Sequence, residues 1–437
     1  VTAARPVRRL GSIEAEQAWA HLLAEGAGQV TTRVTVQAAF GAQYLDQVVA
    51  RWAQRFPALS LRIGEEGDDL WFRHSGDEAP GRAGQEELGQ EELGQEELGP
   101  ERTPEQLLAE EIGIVLPPSG PLWRLRIVHA RRECVTHFYL TCHPAISDVH
   151  TVGRLMRVLL DLLFGEEDGR QGPHRFTEQL VPDQDELTYR AWPVAAVAAG
   201  PVMPWPFAAG AMPSESAERA ERPAARGETL GDGLWQLSLS PRQHAGLKSW
   251  CRARQITVDQ LFVALAATGS ARAAGDERVE VLTARSLRRR YAESTRLSGI
   301  GCCTAALHTQ LCTGDGSPTD LARTYAASVT AADAAWRPEQ LPHTLIRAAV
   351  ADRTGRTGVR FASEGSTDTV LGGHARRVTE FLSAVRPGPR GAASLQLSVF
   401  QGKLRVLASG AGAVELAATL PYTLANSPNL CSPLRSG

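Results

Sequence analysis

Between Cys134 and Leu163 the chain changes its hydrophobic period once, and that single change limits the folds open to it. The run CVTHFYLTCH alternates in the manner of a strand, and after Pro144 the residues Val152, Leu155, Met156, Leu159, Leu160 and Leu163 fall on one helical stripe. A strand that passes through a short loop into an amphipathic helix needs a sheet to join and a sheet face to cover, so all-helical and all-strand architectures are excluded. The preceding run GPLWRLRIVHA also alternates and is separated from it by Arg131, Arg132 and Glu133. This predicts a β-hairpin buried on one face. Thr151 is the expected N-cap of the helix.

The same alternation of periods recurs along the chain. VTTRVTV at 30–36 reads as a strand, and Leu45, Val48, Val49 and Trp52 follow at helical spacing until Pro57 stops the helix before LSLRI. Thr103, Pro104 and Gln106 have the cap, N1 and N3 chemistry of a helix start, as do Ser240, Pro241 and Gln243; Thr257 and Gln260 form another capping box. In the second half, RVEVLTARS, SLQLSVF and KLRVLAS read as strands, with IGCCTAALHTQL an apolar segment and a helix near Thr319 to Ala335. Both halves therefore mix helices and strands, a mixed α/β (α+β) plan stated twice.

At 437 residues the chain exceeds the usual size of one hydrophobic core. The composition turns to Pro, Gly, Ala and charge from Gly165 to Gly233, which divides it into an N-terminal lobe at 1–180, a linker at 181–233 and a C-terminal lobe at 234–437. Three tandem copies of QEELG at 85–99 match neither the helical nor the strand period, so about 75–101 is expected to be a disordered acidic insertion. With 46 basic and 49 acidic residues and a net charge of −3, nothing points to nucleic acid or a membrane surface. There is no signal-like apolar segment near the start and no membrane-length apolar run, and a cytoplasmic location is expected. Seven cysteines without a CxxC pair suggest neither a disulfide framework nor a zinc site, so no metal is expected.

Chemistry concentrates in TCHPAISDVHT, residues 141–151, where Cys142, His143, Asp148 and His150 lie close together. In order and spacing the chain resembles the condensation-domain superfamily of nonribosomal peptide synthesis, whose members have the chloramphenicol-acetyltransferase-like fold. VARWAQRFPALSLRI is similar to that family's early Arg-His-x-x-Leu-Arg segment, GPLWRLRIV to the strand before its active-site strand, and LTCHPAISDVHTVGRLMRVLLDLL to its HHxxxDG strand, loop and helix. LTYRAW, VLTARSLRRR, IGCCTAAL and RPEQLPHTLIR are similar to later segments in the same order. The resemblance implies two lobes in a V with a central tunnel. Into it a carrier-bound acyl thioester and an acceptor would come from opposite faces. The second His of the motif would serve the acceptor, and its Asp would pair with an Arg from the second lobe.

Two registers of HHxxxDG are open. One places His143, Pro144 and Asp148 on the first His, the second His and the Asp; the other places Cys142 and His143 on the paired histidines and keeps nothing else. The first retains more and is adopted. It puts Pro144, which has neither a titratable group nor an N–H, where the base should be. Heterocyclisation members, whose DxxxxD motif also lacks the second His, show that this need not end bond formation, and His143-x4-Asp148 has their spacing.

The candidate catalytic residues are then His143, His150 as the nearest substitute imidazole, and Cys142 as a thiol nucleophile, although Cys142 and its strand neighbour His143 should point to opposite faces. Pro144, Asp148 and Arg285 are the structural residues of the site, with Arg288 the alternative partner of Asp148. Ser363 in FASEGSTD is expected to supply a tunnel hydroxyl, and His343 and Glu364 read as exposed loop residues. The resemblance implies no bound cofactor and a carrier protein's phosphopantetheine arm as donor. The expected partners are an acyl or peptidyl carrier protein and a small amine or alcohol, with no nucleic acid and no membrane. The leading reading is a stand-alone enzyme forming an amide or ester bond in natural-product biosynthesis. The alternatives are a silent domain that docks a carrier protein and recruits a partner enzyme, and acetyl transfer from coenzyme A.

Overall fold

A computed structural model of the chain describes residues 6–74, 95–97, 102–130, 133–165, 228–229, 234–288, 300–314, 316–337, 341–354, 358–388 and 392–410. Most of the interlobe linker, with its LTYRAW segment, and most of the QEELG repeats lie outside them. The strands of the first half are β1 (Pro6–Arg9), β2 (Val30–Val36), β3 (Leu61–Glu66), β4 (Asp69–His74), β5 (Gln95–Glu97), β6 (Trp123–Ala130) and β7 (Val135–Cys142). Those of the second half are β8 (Glu228–Thr229), β9 (Leu234–Leu239), β10 (Arg278–Ser286), β11 (Thr304–Cys312), β12 (Gly358–Ser366), β13 (Val378–Val385), β14 (Ala392–Phe400) and β15 (Lys403–Ser409). Gln95–Glu97 falls inside the segment expected to be disordered, yet it pairs parallel to β6 as an edge strand. Backbone pairing at a sheet edge requires no apolar period of its own, which is why the repeat gave no sign of it.

Sequence patterning accounts for the local structure. The four apolar positions of the helix Ala42–Gln54, Leu45, Val48, Val49 and Trp52, are its buried residues. The capping boxes form as expected at Thr103/Gln106, Ser240/Gln243 and Thr257/Gln260. The stripe of the helix Val149–Leu163 packs on the helix Ala42–Gln54, where Trp52 Nε1 donates to the Leu155 carbonyl at 2.8 Å.

The N-terminal sheet runs β13-β2-β7-β6-β5, the large C-terminal sheet β11-β10-β12-β14-β15-β9-β8, and a small sheet β1-β4-β3. β6 and β7 form the expected hairpin. Contrary to the one-sided burial expected of it, β7 is buried on both faces. Phe138, Leu140 and Cys142 enter the main core, while Tyr139 packs with Leu107 and Leu108 and with Leu234, Leu382 and Leu407 of the second half. A sheet covered on both sides reads as a nearly continuous run, and HFYLTC is such a run.

The two sheets do not divide at one point of the chain, because β13 leaves the C-terminal half and pairs antiparallel with β2. A cut at 233 therefore separates the sequence more cleanly than the structure. In the large sheet Val279, Val281, Val359 and Phe361 face a core built with the helix Val258–Ala274. The residues that alternate with them on β10 and β12 face the N-terminal half.

Candidate active site between the lobes

The stretch 141–151 leaves β7 and enters the helix Val149–Leu163, and all residues from Thr141 to Asp148 are buried. Asp148, rather than Thr151, is the N-cap: its Oδ1 accepts the Thr151 N–H at 2.7 Å. Thr151 is the third helical residue and uses its hydroxyl to donate to the Gly301 carbonyl at 2.9 Å. Asp and Thr both cap helices, and Asp148 is the one whose side-chain oxygen meets the free N–H groups of the first turn.

The carboxylate of Asp148 is also bound by Arg288, whose Nε donates to Oδ2 at 2.8 Å and whose Nη2 donates to Oδ1 at 2.9 Å. The Cys303 N–H adds a bond to Oδ2 at 3.2 Å. Burial alone would raise the pKa of Asp148, but the Arg288 charge and the hydrogen bonds outweigh it and hold the carboxyl below its ordinary range. With these donors in place the group joins two halves of the chain and is poorly disposed to take a proton.

Arg285 does not make this pair. It lies on the face of β10 shared by Val279 and Val281, directed toward the helices, and binds Asp333 at 3.1 Å on the exposed side. Arg288 stands beyond the end of β10, where the alternation of the strand no longer fixes direction, and it turns inward.

The three candidate catalytic side chains are sealed away or set aside. Cys142 is fully buried in the main core, and burial pushes its thiol up to about 12, which leaves it protonated at neutral pH. His143 is also fully buried: its Nδ1 accepts the Ala145 N–H at 3.1 Å, and its ring lies 4.1 Å from that of His21. Burial, and then the neighbouring His21, lower its pKa well below the usual imidazole value. His150 is the second residue of the helix, part-buried, and interacts electrostatically with Asp148. None of the three lines the interlobe cavity, whereas Pro144 does.

That cavity has a volume of about 220 Å³, many times the ~10–15 Å³ that one water molecule needs. Pro144, Ser147, Asp148 and Val149 form one wall, and Glu16, Gln17 and Ala20 of the helix Ser12–Leu23 form another. Opposite stand Glu280, Leu282 and Ala284 of β10, Thr304 and Ala306 of β11, Arg360 and Ala362 of β12, and Ser394 and Gln396 of β14. The motif loop, an N-terminal helix and the open face of the C-terminal sheet thus meet around one space. At its edge Arg353 Nη1 binds Glu16 at 3.0 Å, and His308 Nδ1 lies 3.0 Å from Glu280. Burial alone would raise Glu16 and lower His308, but His308 and Arg353 beside Glu16 bring its pKa below the usual value, and Glu16 and Glu280 beside His308 bring its pKa above the usual value, against the Arg353 charge.

Ser363 does not supply a cavity hydroxyl. It occupies the β12 face of Val359 and Phe361, is exposed, and lies near Asp259 of the helix Val258–Ala274. Glu364 and His343 are not loop residues. Glu364 is on β12 and accepts from Gln396 Nε2 at 2.9 Å; burial raises its pKa to about 7, against the pull of Ser383 and Gln396. His343 starts the helix His343–Arg353, is 1% exposed, accepts the Leu70 N–H at Nδ1 and lies 3.0 Å from the Leu10 carbonyl at Nε2. It fixes that helix to the N-terminal half.

The polar cavity residues Glu16, Glu280, Arg353 and Arg360 escaped sequence reasoning. A signal for two of them was present: Glu280 and Arg360 interrupt apolar strands at positions alternating with core valines and Phe361. Among the described residues no group of three His, Cys, Asp or Glu side chains is arranged to hold a metal, and no helix is long and apolar enough to cross a membrane.

Two lobes that share a crossing strand and enclose a cavity at the motif loop define the condensation-domain fold, and comparison with solved structures gives the same assignment. The first condensation domain of the calcium-dependent antibiotic synthetase, in complex with a substrate analogue, aligns over 98% of this chain and 98% of its own at a TM-score of 0.63 and 16% identity. Polyketide synthase associated protein 5 from Mycobacterium tuberculosis aligns over 96% and 98%, at 0.57 and 13%. Trichothecene 15-O-acetyltransferase from Fusarium sporotrichioides aligns over 95% and 94%, at 0.57 and 10%. By sequence, no family model and no curated protein matches the chain.

Proposed function

We propose that the chain is an acyltransferase that joins a carrier-bound acyl or aminoacyl thioester to a small amine or alcohol, without a histidine base at the motif. The observation that carries this reading is the cavity, which reaches Pro144, Ser147 and Asp148 from between the lobes. A domain used for docking alone has no need of a space at that point.

The reaction follows from what the walls offer. The acceptor nitrogen attacks the thioester carbonyl carbon, the C–N bond forms and the C–S bond breaks. The sulfur leaves with the carrier's arm, and the proton lost by nitrogen passes to the thiolate or to water. Asp148 is held by Arg288 and does not take that proton, and Cys142 does not relay the acyl group. Holding both reactants in line can supply up to ~7–11 kcal/mol. A general base contributes about 10²–10⁴-fold, or roughly 3–5 kcal/mol, so positioning is the larger effect and an amine already deprotonated can react without the base.

The test is to incubate the protein with carrier proteins bearing different acyl groups and a set of amines and alcohols, and to follow product by mass spectrometry. Product above the enzyme-free rate is expected. Carrier binding without product for any pair would instead support the docking role, in which the chain holds a carrier protein for a partner enzyme.

A further inference from the structure

Arg360 is a cation of the cavity wall that its own fold leaves unmatched. It is the third residue of β12, and the residues beside it in register are neutral: Leu282 on β10 and Ser394 on β14. The nearby carboxylates already have partners, Glu16 in Arg353 and Glu280 in His308. Among the described residues Arg360 makes no hydrogen bond and no ion pair, while the other arginine lining the cavity, Arg353, and the cavity carboxylates Glu16, Glu280 and Asp148 do. Burial lowers its pKa, and Glu16 opposes that only through space.

The space for the guanidinium is also kept open from the other lobe. A Cβ on Gly28 would stand 2.6 Å from Arg360 Nη1, and Gly28 has φ +84°, a conformation that suits glycine. A cation without a partner in a part-apolar cavity is costly in the free protein. Its complement is an anion that arrives with the substrate.

We propose that Arg360 binds an anionic group, a carboxylate, on one of the two molecules that react in this cavity. This rests on the cavity being the substrate site, though not on turnover within it. The shared chemistry has two sources: the free carboxylate of an amino-acid acceptor, or the distal carboxylate of a dicarboxylic acyl donor. A planar guanidinium matches either through paired hydrogen bonds.

The experiment measures binding by calorimetry in two arms, using the full chain. The acceptor arm compares L-amino acids with their carboxamides, and the donor arm compares S-succinyl-pantetheine with S-butyryl-pantetheine. In one arm the acid is expected to bind ~10–100-fold more tightly than its neutral counterpart. Arg360→Met should abolish that preference, and Arg360→Lys should restore part of it. The unliganded Arg360→Met protein should melt at the same temperature or higher, because it loses an unmatched charge. Equal binding of acid and neutral probes, no binding in either arm, or a preference that survives Arg360→Met overturns the proposal. A lower melting temperature for the unliganded variant assigns Arg360 to the fold and overturns it as well. Acid binding through Arg360 without product formation would defeat only the acyl-transfer reading; turnover indifferent to substrate charge would defeat only this one.

Discussion

Replacing Asp148 with Ala should destabilise the protein as a whole rather than slow one chemical step. The substitution removes the acceptor of the Arg288 guanidinium, of the Thr151 N–H and of the Cys303 N–H together. Breaking a buried ion pair from one side costs about 3–5 kcal/mol, because the remaining charge stays buried. Loss of the N-cap adds ~1 kcal/mol. The expected total, roughly 4–6 kcal/mol, is a large share of the ~5–15 kcal/mol by which a folded domain is stable. Arg288→Met should also destabilise, since it leaves the carboxylate unpaired. The double variant should cost less than the sum of the two, with a coupling of about 1–3 kcal/mol. Urea unfolding of the four proteins, followed by far-ultraviolet circular dichroism, gives the cycle. Single effects below ~1 kcal/mol, or effects that simply add, would refute the assignment of Asp148–Arg288 as the buried link between the halves.

Other expectations follow from the same geometry. Arg285→Ala and Ser363→Ala should each change stability by less than ~0.5 kcal/mol in the same unfolding assay, since both side chains lie outside the cavity. Gly153→Ala would put a Cβ 1.9 Å from Val370 Cγ1; a loss of about 1–3 kcal/mol is expected despite alanine's better helix propensity, and Val370→Ala should recover much of it. Stability should fall on acidification, because the folded pKa values of His21, His143 and His137 all lie below the ordinary imidazole value of 6.5, that of His137 at about 4. Their contribution is complete above pH 6.5 and is lost as the pH falls from there through the folded values, by up to ~1.4 kcal/mol per pH unit for each histidine. Urea midpoints across that range check the slope, which His143→Gln should reduce. In the native protein a thiol reagent should label the exposed Cys134 and Cys312 well before Cys142 or Cys303, as peptide mapping would show.

Much of this architecture is legible in the sequence because its signals are local. Capping boxes at Thr103, Ser240 and Thr257 act within four residues, and the stripe from Val152 to Leu163 defines its own buried face. What was not legible is non-local. The pairing of β13 with β2 sets Leu382 beside Arg33 from the far end of the chain, and no pattern within β13 names that partner. The choice between Arg285 and Arg288 depended on where β10 ends, and strand ends are the least determined part of such a reading. Ser363 was misplaced although the needed signal was present, since alternation puts it on the face of Val359 and Phe361. Cys142 and His143 looked reactive because reactive residue types cluster there, but only packing reveals that both are sealed.

The proposed acyl transfer between the lobes, without a histidine base, is tested most directly by the dependence of its rate on pH. Single-turnover rates with one loaded carrier protein and amines of different basicity should rise in proportion to the deprotonated fraction of each amine, with the midpoint moving with the amine's own pKa. A midpoint fixed near the pKa of an imidazole for every amine, and abolished by His150→Ala, would contradict it.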